Sequence, residues 1–411
     1  MTAGSEAGTP RAPGSAAAPP GPAGRVAVAQ RQARVTLVLA GAFAVTAAVA
    51  AVVPHRTGAW LPLHLFLAGT VLLAISGAAP LFAVTWAAGP PPSGRVAAVQ
   101  RGLLAAGVAL LAASHEFAWP GVLAGLGGVG VIAALVVLAA SLRRTVAAAV
   151  GRRFDSALHA YLAALTAGVA GSALGVVMAT DSAGSALARV RTAHVTLNTL
   201  GLVGLVIVGT LPFFAATEAR VKMSRRATAG AQTAVLGWLC LALAVTVAGF
   251  LGSWPAVAAG GLGAYAVGLG SVAVVLLPPV GTKQLAWAGP RLLQLGAGLV
   301  WWTGATVVVA VQATRSDTVF TPAVVGALVI GGYAQILAAA LAYLAPVLRG
   351  GGHERLTAGF RTTRSWVSLA AANAAAAALA FGSATIATVA ITVWVLDTAV
   401  RAAVLWRGAT S

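Results

Sequence analysis

Three of the six histidines in this chain fall at one level. His64 lies three residues into an apolar run, His194 about one residue into another, and His115 thirteen residues along a third that begins near Gly102. Thirteen helical residues rise ~20 Å, and alternate runs cross in opposite directions, so all three side chains end near one face of whatever the runs build. Uncharged imidazole ligates iron and copper, and a heme b iron held by two histidines takes one from each of two facing helices. The triplet predicts a heme pair of His64 and His194, or a metal ion such as copper among His64, His115 and His194. A histidine at that depth also serves as an ordinary hydrogen-bonding group, and that reading stays open.

The residues around the triplet extend the expectation. Arg189 and Arg191 precede His194 and suit the anionic propionates of a heme as well as they suit water. Asn198, one turn past His194, shares its face and is a candidate to bond a ligand or a neighbouring helix. Glu116 and Asp181 lie at the same level and are candidates to hold a ligand histidine by its second ring nitrogen. His159 is too far along its run to share a metal with the others, and His55 and His353 fall between runs. Asp397 and Arg401, four apart, predict a structural pair on one helix face. The single Cys240 excludes an internal disulfide and a thiolate cluster. No catalytic residue is assigned.

Composition decides what positions these groups. With 59% hydrophobic and 8% charged residues among 411, the chain cannot form one water-soluble core. It reads as a polytopic membrane protein in the lipid bilayer. Twelve apolar runs, at 35–53, 61–88, 102–118, 119–142, 157–179, 193–217, 231–252, 254–280, 290–312, 320–348, 365–384 and 385–405, predict an all-α bundle of about twelve transmembrane helices. Residues 1–33, rich in Ala, Gly and Pro, read as a disordered tail, 34–406 as the transmembrane domain, and 407–411 as its C-terminal end. The connecting loops are short, so function must reside in the helices or at their ends.

Lys and Arg mark the cytoplasmic side. With twelve spans and the N-terminus inside, 22 of the 26 basic residues fall on cytoplasmic segments, and only Arg56, Arg189, Arg191 and Arg315 fall outside. The formal charge of +18 is then a consequence of topology, and nucleic acid is not the expected partner. Both termini are expected in the cytoplasm, the membrane is expected to be the plasma (inner) membrane, and the histidine level is expected at its outer face.

An internal repeat runs through the helices. The second run reads His64-Leu-Phe-Leu-Ala-Gly69 and later Gly77-Ala-Ala-Pro80-Leu-Phe82. The sixth reads His194-Val-Thr-Leu-Asn198 and later Gly209-Thr-Leu-Pro212-Phe-Phe214, and the tenth ends Leu344-Ala-Pro346-Val-Leu348. The prolines are 132 and 134 residues apart, which predicts three quasi-repeats of four helices.

Twelve helices in three units, with histidines entering the second and sixth from the outer side, resemble subunit I of the heme-copper oxidases. The segments Leu63–Gly69 and Ala193–Gly204 are similar to the second- and sixth-helix signatures of bacterial heme- and copper-containing proteins of the nitric-oxide response and of actinobacterial membrane regions described as copper oxidase. The resemblance implies heme b or copper and a redox partner protein. It departs from a respiratory oxidase where activity would lie, because that pattern places copper and heme histidines on the seventh and tenth helices. Here those runs have none, so a terminal oxidase is not expected. Two classes remain: a heme- or copper-binding membrane protein for electron transfer, gas response or metal handling, and a secondary transporter of a small solute. An oxidase-like scaffold without cofactor is a third possibility. A transporter usually places polar groups at mid-membrane, whereas the distinctive ones here gather at one face.

Overall fold

The computed structural model describes residues 21–151, 155–315 and 318–407. Among them every regular element is helical. Twelve apolar helices follow in order: α1 (Pro22–Val52), α2 (Trp60–Ala87), α3 (Gly94–Glu116), α4 (Gly121–Ala147), α5 (Asp155–Ala179), α6 (Gly184–Ala219), α7 (Ala229–Leu251), α8 (Pro255–Leu276), α9 (Pro290–Arg315), α10 (Pro322–Arg349), α11 (Trp366–Ala380) and α12 (Ala384–Arg407). Eleven are long and apolar enough to cross a membrane. The exception is α11, whose 15 residues reach only ~22 Å before the Phe381–Ser383 turn ends it with Gly382 at φ +78°. Two short helices, Thr282–Ala288 and Gly352–Thr362, lie between the long ones.

The sequence reading is corrected at the N-terminal end. Residues 22–33, expected as part of a disordered tail, belong to α1. Pro22 opens the helix at a position where its missing N–H costs nothing, and Ala29 and Ala33 are buried. Arg25 donates to the Ala88 carbonyl and Gln32 to that of Pro92, so the extension is tied to the segment after α2. The remainder of the expected tail, 1–20, and positions 408–411 lie outside the described residues.

Polar caps mark helix starts at Ser93, Thr228, Thr321 and Ser365, each accepting from a backbone N–H three residues on. Close helix approach then needs small residues, since lipid-facing helices gain little from apolar burial against each other. A Cβ on Gly107 of α3 would stand 2.7 Å from the Gly127 carbonyl of α4, and one on Gly127 would stand 2.7 Å from the Gly107 carbonyl.

Three helices are inner. In the most apolar stretches of α2, α6 and α10, 67%, 89% and 61% of residues are buried, against 44% or less in every other candidate span. These are the second helix of each expected four-helix unit, and they share two further features. Each contains a proline, Pro80, Pro212 or Pro346. Each also contains a π-helical stretch, Leu65–Val71, Leu197–Gly204 or Ala327–Ala334. In α2 and α6 that stretch begins 15 residues before the proline, at 65 for Pro80 and 197 for Pro212. The two helices are therefore built alike over their length.

A π stretch breaks the regular i→i−4 ladder and leaves carbonyls in need of donors. Two buried tyrosines supply them to α6: Tyr265 of α8 donates to the Leu200 carbonyl at 2.7 Å and Tyr333 of α10 to that of Thr199 at 3.0 Å. Trp302 of α9 packs beside both rings, with centroids 6.2 and 5.6 Å away. In the third unit Trp301, Gln335 and Asn373 form one hydrogen-bonded cluster across α9, α10 and α11.

Candidate functional site

The level predicted for the three histidines exists, and it is organised around a tryptophan. Trp60 is the first residue of α2, and His64 lies one turn further on, so both project from one face. The His64 ring stacks on the Trp60 indole with centroids 3.9 Å apart, and its Nδ1 donates to the Trp60 carbonyl at 2.9 Å. His115, next to last in α3, stacks on the same indole at 4.1 Å with planes 10° apart. A tryptophan at a helix end is ordinarily read as an interfacial anchor. The missed signal was its i, i+4 spacing from His64.

His194 faces this group from α6. Its ring centroid is 6.4 Å from that of His64, and the two planes differ by 17°. Its Nδ1 donates to the Gly171 carbonyl of α5 at 2.8 Å. Glycine makes room for this contact. A Cβ on Gly175 would stand 3.0 Å from His194 Cε1, and one on Gly171 would stand 2.5 Å from Asn198 Nδ2. Asn198 donates to the backbone carbonyl of His194 at 2.9 Å, and its amide nitrogen approaches Nδ1 at 3.3 Å.

The hydrogen bonds fix the ring chemistry. A carbonyl only accepts, so in both His64 and His194 the proton resides on Nδ1 and the lone pair on Nε2. This is how a metal-binding histidine is usually held, with one nitrogen tied to a backbone carbonyl and the other left to donate. Two metal–nitrogen bonds of ~2 Å, with ~1.1 Å from each nitrogen to its ring centre, give a centroid separation of ~6 Å. The observed separation of 6.4 Å is of that size.

The expected three-histidine metal set is not brought together. Among the described residues no three His, Cys, Asp or Glu side chains gather as a metal site would require, and the neighbour of His115 is Trp60. The Nδ1 of His115 is buried without a partner. Glu116 does not orient a histidine either: it accepts from the Arg56 N–H at 2.7 Å and the Thr57 hydroxyl at 2.8 Å, closing the loop before α2. Arg189 is exposed and donates to the Leu251 carbonyl at 3.3 Å. Arg191 is exposed too, close enough for its charge to act on both imidazoles. The helix pair Asp397 and Arg401 is an ion pair at 3.0 Å. There the carboxylate accepts from Ser365 and Ser368, and the guanidinium donates to the carbonyls of Thr362 and Arg364.

A second polar group, at the opposite end of α6, was not singled out in the sequence. Glu218 and Arg291 are 0% and 1% exposed. The signal was an acid one residue past the sixth apolar run, 193–217.

No protein-family model matches the sequence, and no curated protein matches it. The fold does have a counterpart. A heme-copper terminal oxidase dimer solved by cryo-EM contains a chain that superposes with a TM-score of 0.64 at 12% identity, over 95% of this chain and 84% of that one. The protein is thus an all-helical membrane protein with the fold of a heme-copper oxidase chain.

Proposed function

We propose that this protein binds heme b or a copper ion between His64 and His194, near the outer face of the membrane, and that it serves one-electron transfer. The observation that carries the reading is the histidine pair: near-parallel rings 6.4 Å apart, each with Nδ1 committed to a carbonyl and Nε2 free to donate. His64 and His194 would hold the metal, and the group would supply a one-electron redox couple suited to electron transfer. The chain's own part is positional. The Trp60 and Gly171 carbonyls hold the tautomers, while Gly175 leaves space for the His194 ring. Arg191 places a positive charge beside the pair. His115 and Trp60 form an aromatic stack leading from the pair to the end of α3, a surface on which a redox partner protein would act. Response to nitric oxide or another gas, and metal handling, are roles the same pair would support. The oxidase fold of the structural counterpart favours this class over a transporter.

The test is purification from cells supplied with heme and copper, followed by absorption spectroscopy and metal analysis. The expected result is a reduced spectrum of b-type character or about one copper per chain, lost in His64→Ala and in His194→Ala, with no cyanide-sensitive oxygen consumption. Wild-type protein with neither cofactor, or variants that keep the full complement, would overturn the proposal and return the choice to a transporter or a cofactor-free scaffold.

A further inference from the structure

The seam between α5 and α6 keeps a regular register. A Cβ on Gly209 of α6 would stand 2.6 Å from the Ala160 Cβ of α5, and one on Gly168 of α5 would stand 2.7 Å from Leu202 of α6. Gly171 and Gly175 face Asn198 and His194 in the same way. Each step of three or four residues toward the C-terminal end of α5 is thus matched by an equal step back along α6. Met178 is the next residue on this face of α5, at i+7 from Gly171 and i+3 from Gly175. It falls opposite Arg191, one turn from His194. A helical side chain covers the turn N-terminal to its own Cα, so the half-buried Met178 leans back over Gly175, the glycine against which the His194 ring lies. Arg191 leans the other way along α6 and is exposed.

The donors at this level are uncharged. His64 and His194 commit Nδ1 to carbonyls and present Nε2. Among the described residues no three His, Cys, Asp or Glu gather, and Glu116 is engaged by the Arg56 N–H and the Thr57 hydroxyl. The fixed charge that acts on both imidazoles is the positive one of Arg191. Neutral ligands beside a cation favour a metal ion of low charge, and a thioether sulfur is a soft ligand suited to copper(I). The chain has three methionines, and Met223 lies between α6 and α7 at the other end of the bundle. A thioether beside His194 is therefore not one of a methionine-rich surface.

We propose that Met178 is the third ligand of a copper(I) ion held by the Nε2 atoms of His64 and His194. The inference rests on the histidine-pair reading and narrows it, because the sulfur makes the site one for copper in place of heme b. Copper(II) carries twice the charge and prefers nitrogen and oxygen donors, so it is held less well.

The experiment loads the detergent-solubilised full chain with copper(I) under ascorbate. It records X-ray absorption at the copper edge, alongside a competition titration against a chromophoric copper(I) chelator. Wild type should show two nitrogen scatterers and one sulfur. Met178→Leu keeps an apolar side chain of similar volume and should leave the elution volume and copper(II) affinity unchanged. It should lose the sulfur scatterer and weaken copper(I) binding by at least about tenfold, the lower end of what supporting groups alone contribute. The wild-type sulfur signal decides even where the variant fails to fold. Nitrogen scatterers alone in wild type, or a Met178→Leu variant that holds copper(I) as wild type does, would overturn the proposal and leave the histidine pair standing. Wild type that takes up heme b and no copper would do the same. A chain that takes up neither would overturn the pair, and the role of Met178 with it.

Discussion

At His194 the second ring nitrogen governs the first. Its Nδ1–H is held by the Gly171 carbonyl, and the ring rests where Gly175 has no side chain. Such outer supports commonly change metal affinity by 10- to 100-fold. Gly175→Val should therefore lower heme or copper occupancy by about that factor without removing a ligand, as equilibrium metal titration would show; unchanged affinity would mean that His194 is not positioned from α5. His55 carries a different prediction. Its two ring nitrogens both bond to carbonyls, of Val53 at 2.8 Å and Gly58 at 2.6 Å, which only the protonated ring can satisfy together. The Val53 bond, helped by that of Gly58 and by the nearby Glu116 charge, raises its pKa above the ordinary value. Protonation is thus favoured in the folded state, so the contribution is fully present below the unfolded pKa of ~6.5 and fades as pH rises through the higher folded value. The melting difference between wild type and His55→Ala should be larger at about pH 5.5 than at about pH 8. A difference that grows toward alkaline pH would refute this, with Arg56 and Glu116 the other charges at the loop.

At the scale of helices, the π stretches set the register of the inner triplet, and the tyrosines that serve α6 make this measurable. Tyr333→Phe removes the donor to the Thr199 carbonyl and Tyr265→Phe the donor to Leu200, each leaving a buried acceptor unmet at a cost of about 1–3 kcal/mol. Both variants should melt earlier yet keep the spectrum that the proposed cofactor at the histidine pair would give; loss of that spectrum would show that the π segment also positions His194. The apolar runs, the three prolines and the shared depth of His64 and His194 were legible in the sequence because each follows from hydropathy or spacing. The π stretches were not, since Leu197–Gly204 is as apolar as an α-helical turn and its widening depends on partners from α8 and α10. The start of α1 was missed for a related reason: Ala29 and Ala33 look like linker until helix α2 packs on them. Trp60 stands at a helix end, a position that says nothing of two imidazoles stacked on its ring. Glu218 was hidden among apolar neighbours, and its significance rests on Arg291, 73 residues later.

Across the whole molecule, α2 and α6 meet at both ends of their length: His64 and His194 at one, Phe82 with Phe214 and Trp86 with Phe213 at the other. The Phe214 ring then meets Tyr343 of α10 at 5.5 Å. The inner triplet is therefore a continuous column, with the imidazole pair at one end and the buried Glu218 at the other. The charge pattern argues that these ends face different compartments. Of 26 Lys and Arg, 22 fall in the sequence segments that the twelve-span reading sets opposite the histidines, and short loops that carry such an excess are retained in the cytoplasm during insertion. We expect reporter fusions after Arg56 and after Asp181 to be active outside, and fusions after Arg226 and after Arg349 to be active inside. The histidine pair would then be open to an extracytoplasmic electron donor. Inverted activity at both outer positions would move the pair to the cytoplasmic face. The same physical site would then require a cytoplasmic redox partner, so the fusion result selects which compartment's proteins to test for electron transfer.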